Sequence, residues 1–260
     1  MNMVLNRHAF RVEYEGTAYC GFQLQPDQPT IQKAIETAFF ALYQSDIRIV
    51  GSGRTDSGVH AAGQVFHADV PENIPCHKLG KALNSHLPED IRITGVSRVN
   101  RTFHARYDAV SRRYSYRIFN GVSVIKRRFA WQIFQPLDIN AMNHCLSFIK
   151  GEHDFTSFCL SQTETENKNC DIQAVEWQVN GPELLFSIRA NRFLHAMVRS
   201  LVGTMVDVGK GRYTVHDFEN ILNKVTHGSG AVTAPAKGLV LEEVIYNPQI
   251  TWQWSGVAQC

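Results

Sequence analysis

Along this chain the spacing of hydrophobic residues switches between a period of two and a period near 3.6, in nearly the same order in each half. That switching constrains the fold more than any other feature. Period two puts apolar side chains on one face of a strand, and period 3.6 puts them on one stripe of a helix. In the first half, Ala9–Tyr14 reads as a strand. Thr30 is a candidate N-cap for a helix through Leu42, with Ile31, Ala34, Ile35 and Ala38 at i, i+3, i+4 spacing. Ile47–Gly51 and Gln64–Val70 read as strands on either side of a glycine-rich loop, His77–Leu87 as a helix and Ile91–Val99 as a strand. In the second half, Tyr114, Tyr116 and Ile118 alternate with polar residues in Arg113–Phe119, and Asp138 can cap a helix through Phe148. Val175–Val179 and Leu184–Ile188 alternate on either side of Asn180-Gly181, a hairpin signal. Leu194–Val208 carries the longest apolar stripe at helical spacing; a short helix, Val215–Asn223, and a strand, Val240–Tyr246, follow it.

A strand–helix–strand–strand–helix–strand order in both halves predicts an α+β fold. We expect two similar lobes, residues 1–110 and 111–260, each a mostly antiparallel sheet with helices on one face. The seam falls near Asp108–Ser111 without a low-complexity linker. The polar stretch Ser161–Asp171 reads as an exposed acidic loop. No apolar run reaches the roughly 18 residues of a membrane helix, and Met1–Arg11 lacks the apolar core of a signal peptide. The six cysteines are scattered, with no Cys-x-x-Cys pair, which suits free thiols in the cytoplasm and argues against a disulfide framework or a zinc site.

Charge narrows the class of partner. The net charge is only +2, yet Arg92–Arg128 holds ten Lys and Arg against one acid, Asp108. Like charges that dense destabilise a compact state unless a polyanion relieves them. Phe103, Tyr107, Tyr114, Tyr116 and Phe119 lie among them. Basic groups interleaved with aromatics suit phosphates and unstacked bases, so nucleic acid is the expected partner.

The densest chemical constellation is Gly51-Ser52-Gly53-Arg54-Thr55-Asp56-Ser57-Gly58-Val59-His60-Ala61. Its glycines allow sharp bends and close approach to a ligand. It is neither a phosphate-binding loop ending in Gly-Lys-Ser/Thr nor a Gly-x-Gly-x-x-Gly fingerprint. By spacing alone, Asp56 reads as an Asx-turn residue. His60, His67 and His104 lack the spacing of metal ligands. No Gly-x-Ser-x-Gly elbow or cysteine nucleophile signature is present, and no RNP1 segment of an RNA-recognition motif. On the same terms Tyr114 is an ordinary strand aromatic, and Arg199 is an edge residue of the Leu194–Val208 stripe.

The loop Gly53–Ala61 resembles the catalytic loop of the tRNA pseudouridine synthase A family, and further matches follow in order. Tyr14-Glu15-Gly16-Thr17 with Gly21-Phe22-Gln23 resembles the family's opening strand and turn. Phe103-His104-Ala105-Arg106 followed by Arg113-Tyr114-Ser115-Tyr116 resembles its second motif. His153–Phe158, Met197–Gly203 and Ala234–Leu239 resemble later ones. The resemblance implies conversion of uridine to pseudouridine at positions 38–40 in the anticodon stem-loop of tRNA. It implies a homodimer of two-lobed subunits with the active site in the cleft between lobes, and no cofactor or metal. It makes Asp56 the catalytic carboxylate, Tyr114 the contact to the target base and Arg199 the partner of the aspartate. Arg54, beside Asp56, is expected to hold a flanking phosphate or fill the place of the displaced base, while His60 and His104 either bind RNA or satisfy the loops. The chain departs from the family pattern in one place: Cys170 stands where the family usually has an arginine, in a stretch made acidic by Glu164, Glu166 and Asp171.

Overall fold

The computed structural model describes residues 5–160, 166–226 and 231–255. In chain order the first elements are β1 (Leu5–Tyr14), α1 (Ile31–Tyr43), β2 (Val50–Gly51), β3 (His60–Pro71), α2 (Cys76–Asn84) and β4 (Ile91–Arg98). Next come β5 (Ala109–Asn120), β6 (Trp131–Ile133), α3 (Ile139–His144), α4 (Leu146–Ile149) and β7 (Gly151–Asp154). The remainder comprises β8 (Asn169–Asn180), β9 (Glu183–Ala190), α5 (Met197–Gly209), α6 (Val215–Asn223), β10 (Leu239–Tyr246) and β11 (Trp254–Ser255). The fold is α+β, and its strand pairs are mostly antiparallel.

The chain forms two compact units: residues through Val110 together with those from Leu241 onward, and Ser111–Val240. The last stretch, assigned by sequence to the second lobe, instead returns to the first unit. There β10 lies beside β3, and Trp254 of β11 pairs with Val96 of β4. The approach at β10 is close enough that a Cβ on Gly63 would sit 2.4 Å from the Glu242 carbonyl oxygen.

In the first unit the strands run β11-β4-β1-β3-β10, with β2 paired to the second half of β3. Thr30 caps α1 as the sequence predicts, its Oγ1 accepting the Lys33 N–H at 3.3 Å. The helix lays Phe39 edge-on against Phe10 and Phe66, which stack at 4.8 Å. Asn84 ends α2 by bonding both the N–H and the carbonyl of Ile93 on β4.

In the second unit β5, β9, β8 and β7 are successive antiparallel neighbours, and β6 runs parallel to the end of β5. Asp138 caps α3 through the Ala141 N–H, but the predicted helix to Phe148 breaks at Cys145. The helix expected from Leu194 begins at Met197, because Ala196 takes a left-handed φ of 59°. The Leu194 and His195 carbonyls turn to other partners, the N–H groups of Met197 and Leu160. Every residue of α5 except Arg199 is buried. A helix covered all round in this way is a core element and not the amphipathic surface helix its stripe suggests.

The predicted acidic loop does not reach Asp171. Residues 161–165, Glu164 among them, lie outside the described residues, Glu166 is exposed, and Asn169, Cys170 and Asp171 belong to β8. Cys170 is thus no loop residue. Strand alternation turns it inward with Ile172, opposite His153, and burial pushes its thiol up to about 12.

Candidate active site

The glycine-rich loop leaves β2 and returns to the sheet at His60. Its backbone is fastened along its length. Ser52 N–H donates to the Val65 carbonyl at 2.7 Å, and the Thr55 carbonyl accepts the Phe22 N–H at 3.1 Å. Asp56 to Val59 form a turn, closed by the Val59 N–H on the Asp56 carbonyl at 3.1 Å, with Gly58 at a φ of 77°. That φ belongs to the left-handed region and explains the glycine. An Asx-turn would direct the Gly58 N–H to the Asp56 carboxylate. Instead it donates to the Tyr19 carbonyl at 3.3 Å. Backbone groups thus close the turn, and the Asp56 side chain is half-buried. Arg54 is exposed, with no protein partner for its guanidinium among the described residues.

Two glycines of the opening motif let the first strand's turn pack onto this loop. A Cβ on Gly16 would lie 2.0 Å from the Val59 carbonyl oxygen, and one on Gly21, at a φ of 90°, 2.7 Å from that of Thr55. Beneath the loop is a layer of buried polar side chains that sequence reasoning missed: Tyr14, Ser52, Thr55 and Gln64. Gln64 reads from sequence as the polar first residue of a strand, with no local signal of burial.

The three histidines considered as ligands hold backbone instead. The Nδ1 atoms of His60, His67 and His104 accept the N–H groups of Gly16, Ala105 and Arg106, at 3.1, 3.1 and 3.2 Å. Burial, reinforced by Arg7 and His104, pushes the His67 imidazole down to about 4. Among the described residues no group of three His, Cys, Asp or Glu is placed to hold a metal ion, and no helix is long and apolar enough to cross a membrane.

In the second unit, Tyr114 and Tyr116 lie on the same face of β5, opposite Ile188 and Phe186. Tyr116 is the core aromatic: it is fully buried, and its hydroxyl donates to the Pro235 carbonyl at 2.7 Å. Tyr114 is half-buried, edge-on to Phe193 at 5.0 Å. Arg199 does more than edge its helix. Its Nε donates to the Ala234 carbonyl at 2.9 Å, and its own carbonyl accepts the Ala234 N–H at 3.0 Å. Its charge favours the Tyr116 phenolate, opposing a burial that pushes that hydroxyl's pKa up. Segment 232–234 reaches α5 only because Gly203 has no side chain, since a Cβ there would lie 2.0 Å from the Val232 carbonyl oxygen. Asp56 and Arg54 thus share one loop of the first unit, and Tyr114 and Arg199 belong to the second.

The basic run divides between the units as well. Arg98 pairs with Glu72 at 2.6 Å, Lys126 pairs with Glu183, and Arg92 donates to the Ile91 carbonyl at 2.7 Å. Arg106, Arg113 and Arg117 are exposed.

A family model described as tRNA pseudouridine synthase matches residues 11–108 and 148–247. Asp56 and Arg199 fall within the matched stretches and Tyr114 between them. The tRNA pseudouridine synthase A of Brevibacillus brevis is 43% identical over 235 residues, covering 90% of this chain and 96% of that protein. That of Bacillus pumilus is 40% identical over 240 residues, covering 91% and 97%. Among solved structures, a Cbf5-Nop10-Gar1 complex aligns with 90% of this chain and 57% of that chain, at 11% identity and a TM-score of 0.35, too distant to add to the family match.

Proposed function

The chain belongs to the tRNA pseudouridine synthase family, and we propose that it acts at positions 38–40 of the anticodon stem-loop, with Asp56 as its catalytic carboxylate. The enzyme is an isomerase that converts uridine in tRNA to pseudouridine. The reaction is balanced within the nucleotide. The bond from uracil N1 to ribose C1′ breaks, the ring turns, a bond from C5 to C1′ forms, C5 gives up a proton and N1 gains one.

An ionised carboxylate serves this sequence by attack at C1′, by addition to the uracil ring, or as a base on the sugar, and all three routes need the charge. The observation that carries the reading is the Asp56 turn: it closes through backbone bonds while its carboxylate stands on a loop matched to the family. Arg199 is the partner of that carboxylate, because a planar guanidinium holds an anion in a fixed orientation. Tyr114 covers the target base, and its half-buried ring suits that better than the enclosed Tyr116 does. Base chemistry requires the nucleotide to leave its stack, and Arg54 takes a flanking phosphate or the vacated place. The same resemblance makes the working enzyme a cytoplasmic homodimer without cofactor or metal. Sedimentation tests the dimer, and activity in a chelator tests the absence of a metal.

The deciding experiment is incubation with an unmodified tRNA transcript, followed by mapping of pseudouridine. Modification at 38, 39 or 40 is expected; modification only elsewhere overturns the position. Asp56→Asn keeps the size of the side chain and removes its charge. It should lower the rate at least ~10³-fold, about 4 kcal/mol of barrier, with tRNA binding retained. A fully active Asp56→Asn enzyme overturns the carboxylate assignment.

A further inference from the structure

The buried polar layer holds the loop at two points. Gln64, on β3, is 0% exposed. Its Oε1 accepts from Ser52 Oγ at 2.6 Å and from the Val65 N–H at 3.1 Å. Its Nε2 donates to the Gly53 carbonyl at 3.1 Å. The amide has one orientation only, since the reverse would set its NH₂ against the Val65 N–H and its oxygen against the Gly53 carbonyl.

A second bond ties the loop to β1. The Tyr14 hydroxyl and Thr55 Oγ1 share a hydrogen bond of 2.8 Å. Tyr14 and Thr55 are both buried, and burial pushes the Tyr14 hydroxyl's pKa well above its usual range, so it stays protonated. Tyr14 therefore holds the residue immediately before Asp56, and the Gln64 amide holds Ser52 and Gly53, at the start of the loop.

A strand does not require this. An apolar side chain of similar size at position 64 would avoid desolvating a carboxamide, and exchanging a buried polar set for apolar groups of the same shape is often close to neutral for stability. Of Gln64's three partners, two are on the loop. We propose that Gln64, acting through Ser52 and Gly53, and Tyr14, acting through Thr55, are positioning residues that set the Asp56 carboxylate for reaction. This rests on Asp56 being the catalytic carboxylate.

The test uses the full-length enzyme and an unmodified tRNA transcript, with kcat, KM and tRNA affinity measured for Tyr14→Phe and Gln64→Met. Tyr14→Phe removes one oxygen and keeps the ring, so it remains informative if Gln64→Met folds poorly. Both should lower kcat about 10–100-fold, as expected of a misplacement near 1 Å, while KM and tRNA affinity stay within about threefold. In an Asp56→Asn background, Tyr14→Phe should have no further effect on the residual rate. Wild-type kcat per folded molecule in Tyr14→Phe overturns the proposal, as does a loss that falls equally on KM and affinity or that tracks the unfolded fraction. If Asp56→Asn itself is active, the catalytic assignment fails instead, so the two failures are distinct.

Discussion

Replacing Gly16 by alanine tests whether the opening motif exists to seat the Asp56 loop. The alanine Cβ would stand 2.0 Å from the Val59 carbonyl oxygen, 2.7 Å from its carbon and 3.1 Å from its nitrogen. Ordinary contact begins near 3.4 Å, so one backbone must move by about 1.4 Å, and both are anchored. Gly16 N–H is bonded to His60 Nδ1, and Val59 N–H closes the Asp56 turn. Overpacking of this kind costs about 1–3 kcal/mol, and the stiffer unfolded chain returns about 0.4–1 kcal/mol. A net loss of about 1–2 kcal/mol is expected in denaturant unfolding, with the midpoint lowered and the slope unchanged. Because the displaced carbonyl belongs to the residue that closes the Asp56 turn, kcat should fall on the order of 10²-fold.

Gly53 supplies the control within the same loop. A Cβ there meets nothing within 4 Å, so Gly53→Ala should stay within about 0.5 kcal/mol of wild type and keep its rate. If Gly16→Ala matches wild type in stability and kcat, or if Gly53→Ala is equally damaging, the packing argument is wrong.

Other perturbations follow from the same geometry. Tyr114→Phe should preserve kcat and tRNA binding, while Tyr114→Ala should lose activity with little loss of stability; stacking is worth ~1–3 kcal/mol per base, and an unfolded Tyr114→Ala would return Tyr114 to the core. Reversing the exposed Arg113 and Arg117 to Glu should weaken tRNA binding across sequences and flatten its salt dependence by roughly one unit of slope per lost phosphate contact; an unchanged slope measured by filter binding would clear these residues of RNA contact. His67 has a folded pKa near 4, below its unfolded value, so its neutral form stabilises the fold fully above about pH 6.5 and that contribution is lost as pH falls toward 4. Allowing for solvent screening, the loss is about 1–2 kcal/mol, and denaturation midpoints should fall less steeply with acid in His67→Gln than in wild type; parallel curves would refute the assignment.

The sequence disclosed what local chemistry decides. Thr30 and Asp138 are cap residues by type, and they cap. The alternation on β5 and the hairpin of β8 and β9 are visible because each strand's own pattern states them. Ala196 shows where this stops. Nothing in an alanine before an apolar stripe announces a left-handed residue, and the helix starts three residues late because the His195 carbonyl bonds the distant Leu160. Gln64 shows it again, since a glutamine at a strand start is exposed in most contexts, and only its partners in space make burial tolerable.

The glycines explain why the motifs are separated in sequence. Gly16 and Gly21 are needed because residues 55–59 press against them, Gly203 because Val232 does, and Gly238 because the Tyr116 ring would lie 2.6 Å from its Cβ. Several motifs are therefore one side of a contact whose other side is a different motif. In the first unit, Tyr14–Thr17 and Gly21–Gln23 meet the loop that carries Asp56. In the second, Met197–Gly203 meets the 232–234 segment that fixes Arg199, and Gly238 meets Tyr116, two residues along β5 from Tyr114. A chain read residue by residue yields the list of motifs, but only packing shows that the list is two assemblies, one built around the carboxylate and the other around the guanidinium proposed to serve it.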